Sequence, residues 1–469
     1  MNIEQTLAIL IFAAMFITIM TDKVHRFIPA VIGGGLTSIL ILAAVDPGPE
    51  HLWHVLRVYD FSHWSWWYHT GLAESHGTHV IPSGPEIGGV NWQTIVFIGG
   101  MMTMVEGMGH TGFFRWLCLW VARLVNYKIV PILIAFMLLS GFLSMFIDSI
   151  TVLLFLSITT IELARLLKFD PVPLIIAEIF AANVGGSATM CGDPPNIIIG
   201  TALGYSFADF AANTGPVAWI GMIFALVMFY FFFRGVLSQP APDSEPGIPR
   251  TYPEPREAIT DNRLFKIVSA IFLFVVLLLI THDRSGLTPG FIGVIAAGFT
   301  LLAMPRHMKT IMKGVDWRTL VFFLGLFVTV GGLEATGVLD KLANQIGDAS
   351  GGDLMVVIPL ILWISAIASG IVDNIPFAAT MVPVIRSLSK PVAEGGLGLP
   401  LPTLAWTLAL GTDIGGNATP IGASANVVGT AIADREGYKI TWGRFCKYAI
   451  PAMFVIVGIC NIYLVLRYG

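Results

Sequence analysis

Apolar runs separated by short polar breaks fill most of the chain. The runs at 7–20, 28–45, 217–233, 267–280, 291–304 and 450–466 are almost free of charge. A helix must stay apolar over about 20 residues to cross a bilayer, so each run predicts a membrane helix. The first run has no basic flank before it and no small-residue cleavage site after it. It therefore reads as a retained span and not as a removable signal. Four further apolar regions are interrupted by polar clusters, at 144–151, 183–196, 369–376 and 413–426. Those interruptions carry the functional argument.

The interruptions recur in order. Val90-Asn-Trp-Gln-Thr-Ile-Val-Phe97 matches Val315-Asp-Trp-Arg-Thr-Leu-Val-Phe322, an offset of 225 (315 minus 90). Asp148 in Phe-Ile-Asp-Ser-Ile matches Asp373 in Ile-Val-Asp-Asn-Ile at the same offset. Gly185-Gly-Ser-Ala-Thr189 then matches Gly415-Gly-Asn-Ala-Thr419 at 230, which places a small insertion in 394–398. Three matches in one order predict two repeats. The boundaries are an N-terminal repeat over 1–235 with an insertion at about 46–89, a linker over 236–263, and a C-terminal repeat over 264–469. The linker holds Pro240, Pro242, Pro246, Pro249, Pro253 and Pro255 and reads as an extended connector outside the membrane.

Each repeat is expected to hold two spans, a third beginning at Trp92 or Trp317, and an amphipathic segment at 111–126 or 336–348. A re-entrant hairpin with Asp at its tip, a broken span and a last span follow. A hairpin returns to its own side, so each half crosses an odd number of times and the second half is inverted. With both termini outside, 20 of the Lys and Arg residues fall inside, Arg26 and Arg318 among them, and 6 fall outside. Positive charge favours the cytoplasmic side. The expected location is thus the inner (plasma) membrane, multi-pass, with N- and C-termini outside.

The hairpin tips read Ser144-Met-Phe-Ile-Asp148-Ser149-Ile-Thr151 and Ser369-Gly-Ile-Val-Asp373-Asn374-Ile-Pro376. An Asp at the centre of a membrane helix costs roughly 2.5–3.5 kcal/mol on insertion scales, and irregular backbone at that depth survives only where it lines a cavity. The broken spans read Asn183-Val-Gly-Gly-Ser187-Ala-Thr189-Met-Cys191-Gly-Asp193-Pro194-Pro195-Asn196 and Asp413-Ile-Gly-Gly-Asn417-Ala-Thr419-Pro420-Ile-Gly-Ala-Ser424-Ala-Asn426. Gly-Gly and Pro interrupt a helix and free its carbonyls. Broken helices in matching positions of two halves mark a transporter binding site. The candidate substrate-binding residues are Asp148, Ser149, Asn183, Ser187, Thr189, Asn196, Asp373, Asn374, Asp413, Asn417, Thr419, Ser424 and Asn426. Asp148 and Asp373 are the candidate proton-coupling pair, and with Asn183 and Asn374 they are the candidate Na+ ligands. Glu178 and Asp193 either join the site or act as structural pairs and caps.

The Asp-bearing hairpin followed by Asn-x-Gly-Gly-x-x-Thr-x-x-Gly-Asp-Pro-Pro-Asn resembles the ion transporter superfamily. Within it the chain is similar to the group of NhaD-type sodium/proton antiporters, arsenite permeases and P proteins. The similarity runs from Trp92 onward, and Gly192-Asp-Pro-Pro-Asn196 is its most specific motif. The resemblance implies an all-α polytopic membrane protein, a homodimer, and a transport unit moving past a scaffold as an elevator. Ser149 departs from the usual Asn after the first tip Asp, and the aromatic insertion at 46–89 is unusually long.

Composition narrows the chemistry. The 469 residues are 55% hydrophobic and 12% charged, against about 25% charged in soluble proteins. No polar stretch is long enough for a soluble catalytic domain. A nucleophile–base set and H-E-x-x-H are both missing from the sequence, so no catalytic residue, no cofactor and no nucleic-acid partner is expected. Oxygen-rich, acid-bearing tips suit hard cations or protons. Carboxyls crowded at low dielectric hold protons near neutral pH, where a proton and Na+ or Li+ can compete. The reading is a secondary transporter, with Na+(Li+)/H+ antiport ahead of oxyanion or carboxylate transport (arsenite efflux or dicarboxylate symport), and with small ions and the bilayer as partners. Cys118, Cys191, Cys446 and Cys460 lack zinc-site spacing and read as packing residues. His51, His54, His63, His69, His76 and His79 crowd the insertion beside Trp64, Trp66, Trp67 and Tyr68, which suggests an interfacial segment or a dimer contact more than a metal site.

Overall fold

The computed structural model describes residues 2–21, 24–43, 55–68, 89–237 and 252–469. His51, His54, His69, His76, His79 and most of the proline-rich linker lie outside the described residues. The helices are α1 (Ile3–Met20), α2 (Phe27–Thr37), α3 (Trp64–Trp67), α4 (Trp92–His110), α5 (Phe113–Leu124), α6 (Ile129–Leu143), α7 (Ser149–Leu167), α8 (Val172–Gly186), α9 (Pro194–Leu203), α10 (Phe207–Asn213) and α11 (Gly215–Leu237). After the linker come α12 (Asn262–Ser285), α13 (Pro289–Ala303), α14 (Met308–Gly314), α15 (Trp317–Ala335), α16 (Val338–Ser350), α17 (Leu354–Ile371), α18 (Asn374–Ser389), α19 (Leu401–Gly415), α20 (Ser424–Arg435) and α21 (Trp442–Tyr468). Among the described residues, seven helices are long and apolar enough to cross a membrane. Of the aromatic segment, Trp64–Trp67 form the single turn α3. It packs on Phe61 and Phe291, Phe61 packs in turn on Trp92, and Thr288 donates to the Trp66 carbonyl.

Local chemistry sets the matching starts. Asn91 caps α4 by accepting from the Thr94 amide, and Asp316 caps α15 by accepting from the Thr319 amide. These caps are why the two Trp-containing motifs open helices at the same register. Gly112 and Gly337 precede α5 and α16 at φ +81° and +70°, a conformation that glycine adopts without a Cβ clash.

Two groups of helices result. In the first, α2 packs on α15 and α13 packs on α4, with α15 touching α4. The crossings are close because they run through glycine. A Cβ on Gly100 would lie 2.1 Å from the Gly293 carbonyl oxygen, and one on Gly325 would lie 2.3 Å from that of Ala30. In the second group α6 packs on α8 and α17 on α19, and the halves then interlock, α7 against α20 and α9 against α18. This interlocking brings the two turns and the two breaks to one place.

Candidate functional site

Helices α6 and α7 meet at Asp148, and α17 and α18 meet at Asp373. The interruptions between α8 and α9 and between α19 and α20 lie against these turns. Matched hydrogen bonds hold each break. The Thr189 hydroxyl donates to the Met145 carbonyl at 2.5 Å, and Thr419 donates to Gly370 at 2.7 Å. The Asn196 amide donates to Gly186 and Thr189, and the Asn426 amide to Gly416 and Thr419. The backbone carbonyls that Gly and Pro leave free are thereby satisfied, as buried polar groups must be. Ser187 is the exception among the expected site hydroxyls. It donates to the Val184 carbonyl at 2.8 Å, the back-bond a serine makes at the end of a helix, and so it does not join the network.

The breaks also reach each other. Asn183 Nδ2 donates to Asn417 Oδ1 at 3.0 Å and to Asn426 Oδ1 at 2.8 Å. At the centre lies Asp193. Ser149 donates to one of its oxygens at 2.6 Å and Asn374 to the other at 2.7 Å. One carboxylate therefore ties the first turn to the second, and the Ser and Asn that differ between the motifs serve the same partner. Asp193 sits at the N-cap position of α9, yet its side chain makes no cap bond; the extended backbone there aims it at the turns instead. Asp413, in the place that Asn183 holds in the first repeat, faces Asp193. Both oxygens of Asp413 and both of Asp148 are buried without a hydrogen-bond donor. Asp148 also lines a small, mostly apolar cavity of about 20 Å³ with Thr151, Cys191, Pro194 and α4 residues Phe97 and Met101.

Asp373 is engaged differently. Its Oδ1 caps α18 at the Ile375 amide, and its Oδ2 accepts from Ser424 at 3.0 Å and from Arg26 at 3.1 Å. Arg26 also donates to Ser424, and to Thr319 at 2.9 Å. Sequence reasoning counted Arg26 only as a flanking charge. Three of the four expected Na+ ligands thus have separate side-chain partners: Asp373 has Arg26, Asn374 has Asp193 and Asn183 has the facing amides, while Asp148 has no side-chain hydrogen-bond donor. Among the described residues no three His, Cys, Asp or Glu side chains group to hold a metal ion. Glu178 is buried within α8, accepting from Thr160 at 2.5 Å, and has a leucine, Leu408, at its place in the second repeat.

Paired turns and interrupted helices that gather buried amides and carboxyls inside an all-helical, membrane-spanning bundle define a multi-pass membrane transporter. A family model described as a citrate transporter matches residues 16–411. The chain belongs to that family, CitMHS of the ion transporter superfamily, and is a secondary transporter, not an enzyme. It is 33% identical over 380 residues to a 46 kDa membrane protein of Mycobacterium leprae, covering 81% of this chain and 87% of that one. An uncharacterized transporter of Mycobacterium tuberculosis is 31% identical over 464 residues, covering 99% of both. The human P protein is 28% identical over 538 aligned positions, covering 97% of this chain and 59% of the P protein. The solved YdaH transporter of Alcanivorax borkumensis shares the fold at a TM-score of 0.57 and 12% identity, covering 94% of this chain and 97% of that one.

Proposed function

We propose that the chain exchanges a small cation, Na+ or Li+, for protons at the joined turns and breaks. The observation that carries this reading is the facing pair Asp193 and Asp413 beside Asp148, three carboxyls whose oxygens include four without a donor. Two carboxyls that close at low dielectric call for a proton or a cation between them. Transported cations and protons would then alternate as the compensating charge, and that alternation is coupling. On this reading 1–235 and 264–469 are inverted repeats, the turns are re-entrant hairpin tips, and both termini lie outside. Helices α6–α9 and α17–α20 move as one unit past a scaffold containing α2, α4, α13 and α15, in a homodimer. The matched element order and the two packing groups support this division.

A carboxylate substrate is the second reading, favoured by the description of the matching family model and by one observation. Arg26 and the N-termini of α7, α9, α18 and α20 all point positive charge or amide dipoles toward the turns. Proteoliposomes separate the two. Collapse of an imposed pH gradient by Na+ or Li+, with no uptake of labelled citrate, is the expected result. Citrate uptake with no cation-driven proton flux would reverse the assignment.

A further inference from the structure

We propose that Arg26 is a resident cation of the site: from the scaffold side it neutralises Asp373 in this conformation, and it must leave before Asp373 can take a transported cation. The geometry sets the two ends of this contact on different bodies. Arg26 precedes α2, which packs on α1 and α15. Its guanidinium is anchored there by Thr319, whose hydroxyl donates on to Asp316 at 2.5 Å, and it lies 5.2 Å from the centre of the Phe322 ring. The other face of the same fork reaches Asp373 and Ser424, on the second turn and the second break. Arg is suited to such bridging, since its planar fork serves several acceptors at once. The pair is largely enclosed, with the side chains 25% and 12% exposed.

The first repeat has no equivalent. Gly325 meets the Ala30 carbonyl as Gly100 meets that of Gly293, and aligning Ala30 with Gly293 puts Pro289 at the place of Arg26. Asp148 accordingly has no side-chain hydrogen-bond donor, although the repeat makes it the equal of Asp373. Displacing the moving unit past the scaffold breaks the Arg26 contact. An acid left bare in the membrane is costly, so release is favourable only when a cation or proton arrives on Asp373. Arg26 would thus suppress movement of the empty carrier. This inference rests on the cation reading for what replaces the guanidinium.

The test is Na+-dependent thermal stabilisation of the purified full chain at fixed pH, comparing native protein with Arg26→Gln, Arg26→Lys, Asp373→Asn and Arg26→Gln/Asp373→Asn. Arg26→Gln should lower the Na+ concentration for half-effect at least tenfold, and the double variant should bind no tighter than Asp373→Asn alone. Arg26→Lys keeps the charge without the fork and should fall between native and Gln; it serves as the test if the Gln variant does not fold. An unchanged half-effect in Arg26→Gln, or tightening that persists in the Asp373→Asn background, overturns the proposal. If the native chain responds to neither Na+ nor Li+, the cation reading fails on its own, and hydrogen exchange decides the contact. Faster exchange at 372–376 but not at 147–151 in Arg26→Gln, or in Arg26→Lys, supports an Arg26 hold on the second turn. Equal exchange refutes it.

Discussion

Replacing Gly185 with alanine tests whether the close approach of α6 and α8 builds the site. A Cβ there would stand 2.1 Å from the Gly141 carbonyl oxygen and 2.3 Å from the Gly141 Cα, where ordinary contact is 3.4–4 Å. Both opposing atoms are backbone, so no flexible side chain can yield, and the helices must part by about 1.3 Å (3.4 minus 2.1). Overpacking of this kind costs about 1–3 kcal/mol, and backbone obstruction argues for the upper end. Against it, alanine in a helix interior is favoured over glycine by roughly 0.5–1 kcal/mol. The net expectation is a loss of about 2 kcal/mol. Gly458, within α21, has no atom within 4 Å of its added Cβ, so the same substitution there should gain about 0.5–1 kcal/mol. Unfolding in detergent, followed by helical circular dichroism against temperature or denaturant, reads both signs. Gly415→Ala, whose Cβ would meet Ala366 Cα at 2.3 Å, should repeat the loss in the second half. If Gly185→Ala and Gly458→Ala shift stability alike, the close-packed hairpin–break unit is wrong.

Other expectations follow from the site. Asp148→Asn and Asp373→Asn should each leave folded protein in detergent but abolish coupled flux in proteoliposomes; normal exchange by both would remove the proton-carrying role. Ser149→Ala should cost about 1–2 kcal/mol in the native background and almost nothing in Asp193→Ala, because the hydrogen bond it loses is already gone; equal costs would mean that Asp193 does not join the two turns. The Thr94 and Thr201 hydroxyls are 2.7 Å apart, one on α4 and one on α9, so Thr94→Cys/Thr201→Cys in a background without the native cysteines should form a disulfide. Once complete, that bond should stop flux and spare Na+ binding, and flux at the reduced rate would defeat the elevator reading.

Much of this architecture is visible in the chain because it depends on local chemistry. Asn91-Trp and Asp316-Trp announce helix starts, since a capping side chain acts on an amide three residues away. Gly185-Gly and Gly415-Gly announce breaks, since glycine and proline act on their own turn of helix. Direction is not local. Ser187 follows a Gly-Gly pair and looks like a site hydroxyl, but the last turn of α8 points it back to Val184. Asp193 stands where a cap would, but its extended backbone sends it to Ser149 and Asn374. Arg26 reads as a flanking charge, and only folding places it on an acid 347 residues later.

These misjudged or unequal positions share a feature: they are where the two halves differ. Asn183 stands opposite Asp413, Ser149 opposite Asn374, Asp193 opposite Ala423, and Arg26 opposite Pro289. Elsewhere the halves repeat their caps, their threonine ties and their asparagine clamps. If the halves exchange shapes during transport, identical halves would give two conformations of equal energy, with no charge distinguishing one from the other. A ligand shifts such an equilibrium only through a difference in its interaction with the two states. Charge differences at the turns and breaks place such a difference where the substrate binds, and Arg26 on Asp373 is the one that a passing cation would have to undo.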